Sequence, residues 1–166
     1  KYQNHYPYIV VDNEAGMEHI SRGVLPSMQT AILVSDCSRR GVQAVGRIAK
    51  LIDECNMLCN EYGLDAISVP CTIAAAMELY QRGYIKEEEC AGIPLEWGST
   101  KALVEWTKRM GDPKTELDWL MSSGSARLCE HYGHPEISMS VKKQEMPAYD
   151  ARAIQGIGIT YATSNR

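Results

Sequence analysis

The residues with the most pointed chemistry are Asn60-Glu61-Tyr62-Gly63-Leu64-Asp65. An amphipathic run ends at Tyr62, Gly63 supplies the positive φ that closes a helix, and Leu64 pins the turn. Asp65 then stands where its carboxylate can face a ligand instead of the core. Such a corner can hold a polar heterocycle, because an ionised carboxylate accepts hydrogen bonds and its charge strengthens them. The same six residues also read as an ordinary helix stop.

Two other groups have ligand-type side chains. Cys55 and Cys59, at i and i+4, share a helix face. Structural zinc needs four ligands and iron–sulfur sites use tighter cysteine runs, so this pair reads as buried structural cysteines. Cys129, His131, His134 and Glu136 crowd one short stretch, but no third and fourth ligands are specified around His131-x-x-His134. A surface helix end suits them better, with His131 complementing the helix dipole.

The elements that must position these residues follow from hydrophobic spacing. Tyr8-Ile9-Val10-Val11 and Ala31-Ile32-Leu33-Val34 are short apolar runs that read as buried strands. Ser38 or Asp36 can cap a helix from Arg39 to about Asp53, and an unbroken apolar pattern carries it on to Tyr62. A second helix is expected over Thr72–Arg82, ending at Gly83, followed by a solvated charged connection at Tyr84–Glu89. Ser99 or Thr100 caps a third through Lys108, and Gly111-Asp112-Pro113 breaks it. Glu116–Tyr132 reads as helical with Gly124 as a flaw. Pro135 and Pro147 bracket an extended piece, and a loop-rich tail carries Gly156 and Gly158. The fold class expected is mixed α and β: a strand-strand-helix α/β element over residues 1–54 and a mostly α-helical body after residue 54.

Composition narrows the function classes. The 166 residues can bury a core, with 45% hydrophobic and 23% charged side chains. A net charge of −4 argues against a nucleic-acid surface, and no apolar run is long enough to span a bilayer. Six scattered cysteines favour a reducing, cytoplasmic setting.

Asn60–Asp65, followed by Ala66-Ile67-Ser68 and by Thr72-Ile73-Ala74-Ala75-Ala76-Met77-Glu78-Leu79-Tyr80, resembles the aldehyde:ferredoxin oxidoreductase family. The resemblance runs from about Cys55 to Arg166. It continues through His134-Pro135-Glu136-Ile137, through Glu145-Met146-Pro147-Ala148-Tyr149-Asp150-Ala151-Arg152, and into Tyr161–Arg166. Asn60 stands where the family motif has Asp, Ala151 where it usually has Pro, and Lys143 where it often has Gly. The resemblance implies a tungsten or molybdenum bis-pterin with a [4Fe-4S] cluster, and a small aldehyde oxidised to a carboxylate with ferredoxin as acceptor. It places Asn60, Gly63, Leu64 and Asp65 at the pterin, with Asp65 accepting from its amino and ring N–H groups. Arg152 and Arg166 are expected either to contact the pterin phosphates or to brace the tail, with bracing the preferred role. The family's cluster cysteines and acid–base histidine fall outside the matched stretch, so no catalytic or metal-binding residue is assigned, and the sequence as written is expected to be catalytically incomplete.

Val10–His19 and Ser35–Gln43 resemble the carbon monoxide dehydrogenase nickel-insertion ATPases, a deviant P-loop group, with Cys37 where Pro is expected. That resemblance implies a magnesium and nucleotide switch at Asp12, Ala15 and Gly16. No G-x-x-x-x-G-K-[ST] occurs in the sequence, so the segment is expected to be structural. Three functions are therefore in play: part of a pterin oxidoreductase within a larger assembly, a metallochaperone ATPase fragment, or an inert helical interaction or fusion module.

Overall fold

The first described element, helix α1, spans Arg39–Tyr62 without interruption and crosses the Glu54-Cys55 seam between the two resemblances. The computed structural model describes residues 39–146 and 155–164. The two expected strands, and with them Asp12, Ala15 and Gly16, lie outside those residues. The α1 stripe is shallow: Leu51 and Cys59 are buried, whereas Ile48, Ile52, Cys55 and Leu58 are half-buried.

Helix α2, Ser68–Gln81, is the hub. It buries Val69, Thr72, Ile73, Ala75, Ala76, Met77 and Leu79 and touches helix α3 (Thr100–Gly111), helix α4 (Glu116–Ser122), helix α5 (Ser125–His131) and strand β2. Strands β1 (Ser140–Val141) and β2 (Gln144–Glu145) pair antiparallel, Ser140 opposite Glu145 and Val141 opposite Gln144. Helix α6, Gln155–Thr163, ends the described chain. The described residues are mostly α-helical, as expected, with this one small sheet among them.

The core joins Ile73, Leu79, Ile85, Leu95, Trp106, Met121 and Leu128, all fully buried. Trp106 at its centre keeps its indole N–H paired, donating to the Ile93 carbonyl at 3.1 Å. Arg109 lies with its guanidinium 4.6 Å from that ring's centroid and donates to the carbonyls of Cys90 and Ala91 at 2.9 and 3.1 Å. This clamps the 3-10 turn Glu87–Cys90 onto α3.

Several boundaries differ from expectation for local reasons. Helix α2 begins at Ser68, not Thr72. A helical turn already starts at Asp65, whose carbonyl accepts from Val69 N at 3.0 Å, and Pro70 is tolerated because a first-turn residue needs no N–H partner. Ser99 is the cap of α3, its hydroxyl accepting from Ala102 N at 3.1 Å. That helix runs past Lys108 to Gly111 before Asp112-Pro113 stops it. Glu116–Tyr132 is two helices rather than one flawed helix, because Gly124 has φ +92°, outside any helix. The piece after Pro135 holds a 3-10 turn, Pro135–Ile137, and the hairpin. The glycine-bearing tail is helical over Gln155–Thr163. Glycine costs a helix about 1 kcal/mol but, unlike proline, removes no N–H donor.

Candidate functional site

The corner between α1 and α2 is assembled almost entirely from neighbouring residues. Gly63, at φ +66°, turns the chain out of α1. Leu64 N then donates to the Cys59 carbonyl at 2.8 Å and Gly63 N to the Asn60 carbonyl at 3.4 Å, the paired bonds of a Schellman C-cap. Leu64 packs against the core that contains Cys59, which fixes the turn by an apolar contact as well. Asp65 opens the next helix: its Oδ1 accepts from Ile67 N at 2.8 Å and its Oδ2 from Ser68 Oγ at 3.2 Å. One helix is therefore capped and the next begun within three residues. Asn60, Gly63 and Asp65 are exposed, Leu64 is half-buried, and nothing lies within 4 Å of where a Gly63 Cβ would stand. The Asp65 carboxylate has spent two of its roughly four acceptor positions on the cap.

One turn further along α2, at Thr72, a second carboxylate has the opposite environment. Glu145 on β2 is buried, and its Oε1 accepts from Ser125 N at 2.6 Å, Ser125 Oγ at 2.8 Å and Thr72 Oγ1 at 3.5 Å. A Cβ on Gly124 would stand 3.0 Å from that oxygen. The turn that delivers Glu145 is Lys142-Lys143, with φ +53° and +67°, where side chains with a Cβ are disfavoured. Lys143 is anchored to Glu130 at 3.0 Å, and Lys142 Nζ donates to the Ser164 carbonyl beyond α6. Cys71 lies between the two carboxylates, its thiol directed at the Met146 carbonyl at 3.5 Å. Burial first, then the charges of Glu145 and Asp65, push that thiol up to about 11.

A family profile described as aldehyde ferredoxin oxidoreductase, domains 2 & 3, matches residues 13–166. The chain belongs to the aldehyde ferredoxin oxidoreductase family. The tungsten-containing aldehyde ferredoxin oxidoreductase of Pyrococcus furiosus is 47% identical over 123 residues, covering 74% of this chain and 20% of that protein. Its namesake from Thermococcus kodakarensis is 46% identical over the same length and shares. The chain thus spans about a fifth of the length of these curated relatives. A shorter match, 41% identical over 49 residues, is to an uncharacterized ATP-binding protein of Methanocaldococcus jannaschii, covering 30% of this chain and 19% of that protein.

In this aldehyde ferredoxin oxidoreductase domain the other ligand-type residues have separate surroundings. Cys55 is half-buried and Cys59 buried, both as free thiols. Burial, then the neighbouring Cys59 and Glu54, raise Cys55 to about 11, and burial followed by Asp65 raises Cys59. His131 closes α5 in solvent. His134 instead stacks on Tyr84 with ring centroids 3.7 Å apart and pairs through Nδ1 with Glu136 at 3.0 Å. Cys129 is buried, its thiol raised to about 11 by burial and then by Glu78 and Glu136. No group of three or more His, Cys, Asp and Glu among the described residues is arranged to hold a metal ion.

Sequence reasoning missed two residues near the corner. Asp118 is 2% exposed; its Oδ2 accepts from Lys114 N and Thr115 N at 3.1 and 2.8 Å, while Oδ1 has no protein partner. The Thr115-x-x-Asp118 spacing of a capping box was the signal for it. It borders an open cleft of about 360 Å³ that Tyr62, Arg109 and Lys114 also line. Gly111 is the last residue of α3, where the sequence placed the break, but a Cβ there would meet the Tyr62 ring at 2.2 Å. No local pattern signals so close an approach.

Proposed function

We propose that this chain is the part of a tungsten- or molybdenum-pterin aldehyde oxidoreductase that holds one edge of the pterin, with Asn60, Gly63, Leu64 and Asp65 as the contact residues. The observation that carries this reading is the exposed Asp65 carboxylate, fixed by its own helix cap yet with acceptor positions to spare, beside an open Gly63. The fit is chemical. The donor edge of a pterin, with its amino and ring N–H groups, needs an acceptor, and a carboxylate provides a charge-assisted one. Bare Gly63 lets a flat ring approach the backbone. Asn60 sits one turn earlier on the same exposed end of α1.

The bound metal would supply the two-electron chemistry that converts an aldehyde and water to a carboxylate, with a [4Fe-4S] cluster passing electrons to ferredoxin. The work of this chain is orientation. The Schellman bonds and the Asp65 cap hold the acceptor still, so little ordering cost remains when the ring arrives. Five free cysteines among the described residues suit a reducing cytoplasm, and no described helix is long and apolar enough to cross a membrane.

Metal analysis and pterin fluorescence of the intact protein test this reading, together with reduction of an artificial acceptor by small aldehydes. Tungsten or molybdenum with pterin is the expected result; their absence from intact protein sinks it. The match to an uncharacterized ATP-binding protein favours a second reading, a nucleotide-dependent metallochaperone segment at residues 1–54 with Asp12, Ala15 and Gly16 as its switch. That reading requires ATP binding lost in Asp12→Ala, and a null titration removes it.

A further inference from the structure

The Tyr62 ring lies directly over the backbone of Gly111. A Cβ built on Gly111 would stand 2.2 Å from Tyr62 Cγ and 2.6 Å from both Cδ atoms, closer than any real contact. The platform beneath is rigid. Met110 is buried in the core, its carbonyl accepts from Ser122 Oγ at 2.8 Å, and Asp112 N closes the last turn on the Lys108 carbonyl at 3.0 Å. Tyr62 is also the last residue of α1, immediately before Gly63. The stack therefore runs from core to Met110, to Gly111, to the Tyr62 ring, and through one peptide bond to the Gly63–Asp65 corner.

We propose that Gly111 is a positioning residue for the cofactor corner: its missing side chain leaves room for the Tyr62 ring on α3, so that the ring does not push Gly63, Leu64 and Asp65 from the place the Schellman bonds give them. This rests on the pterin reading above. Any side chain at 111 must displace the ring, because the backbone on the other side is tied to the core. The displaced ring carries the end of α1 with it and moves an acceptor whose use depends on sub-ångström placement.

The test compares the intact, metal-loaded protein with Gly111→Ala, Tyr62→Phe and the double variant Tyr62→Ala/Gly111→Ala. Pterin and tungsten are measured per folded chain, and thermal melting is recorded separately. Gly111→Ala should lose several-fold of its pterin per folded chain. Tyr62→Phe, which keeps the ring, should match the wild type. The double variant should recover most of the loss, because removing the ring clears the new methyl group while the Schellman bonds still shape the corner. A Gly111→Ala protein that melts lower but keeps its full pterin content would overturn the proposal, as would a double variant as depleted as the single. Wild-type protein without pterin sinks the function reading itself, and this inference with it.

Discussion

Asp65 and Glu145 each bring a carboxylate to the first turn of a helix, one in solvent at the α1–α2 corner and the other 9% exposed under the hairpin. Asp65 serves residues two and three positions away. Glu145 reaches Ser125 and Thr72 from far along the chain, and its Oε1 takes all three donors. A buried charge is tolerated only when donors surround it, so Glu145 is committed to the fold. An exposed charge that needs only a local cap keeps acceptor positions free. The same chemistry is structural in one place and available for binding in the other, and burial decides which.

The largest effect expected from this contrast is in Glu145→Ala. It strands Ser125 N–H beneath the hairpin and should cost about 3 kcal/mol in urea unfolding. Gly124→Ala attacks the same junction through φ +92° and the 3.0 Å approach to Glu145. It should cost about 2 kcal/mol. Asp65→Ala should cost only about 1 kcal/mol, the value of an exposed cap. A loss as large as that of Glu145→Ala would erase the distinction. Lys143→Gly should raise stability by about 0.5–1 kcal/mol, because it relieves a positive φ and loses only an exposed ion pair.

Cys71 senses both carboxylates and offers a finer comparison. Glu145 outweighs Asp65 in raising its thiol. Glu145→Gln should therefore speed its alkylation more than Asp65→Asn does, read by mass spectrometry at fixed pH. Cys55, Cys71 and Cys129 all stand near 11 in the folded chain, above the ordinary 9.0. Their stabilising contribution is complete below about pH 9 and is lost as pH rises towards 11, because the unfolded chain gives up those protons first. Alkaline unfolding should steepen across that window and do so less in Cys→Ser variants.

The corner was legible in sequence because its signals are contiguous. Gly63 had to turn, Leu64 had to pin, and Asp65 came next; the end of α1 at Tyr62 and the Ser99 cap were read on the same local grounds. The junction was not legible, because the reason Gly124 divides α4 from α5 includes the carboxylate of Glu145, which lies twenty residues beyond Ser125. Gly111 was read correctly as part of the helix stop, but nothing nearby in sequence announces the Tyr62 ring over it. Helix α6 was misread as loop because two glycines outweighed Ile157, Ile159, Tyr161 and Ala162 in a propensity argument, and propensity is a weak prior.

The central claim is that Asp65 is held by its cap and offers its remaining acceptor positions to a pterin. Asp65→Asn in the intact protein tests it most directly, because asparagine caps a helix as well as aspartate but lacks the charge. Pterin and tungsten per folded chain should fall several-fold while the melting temperature stays at the wild-type value. Unchanged cofactor content with an unchanged melting temperature would contradict the account and leave Asp65 as a helix cap alone.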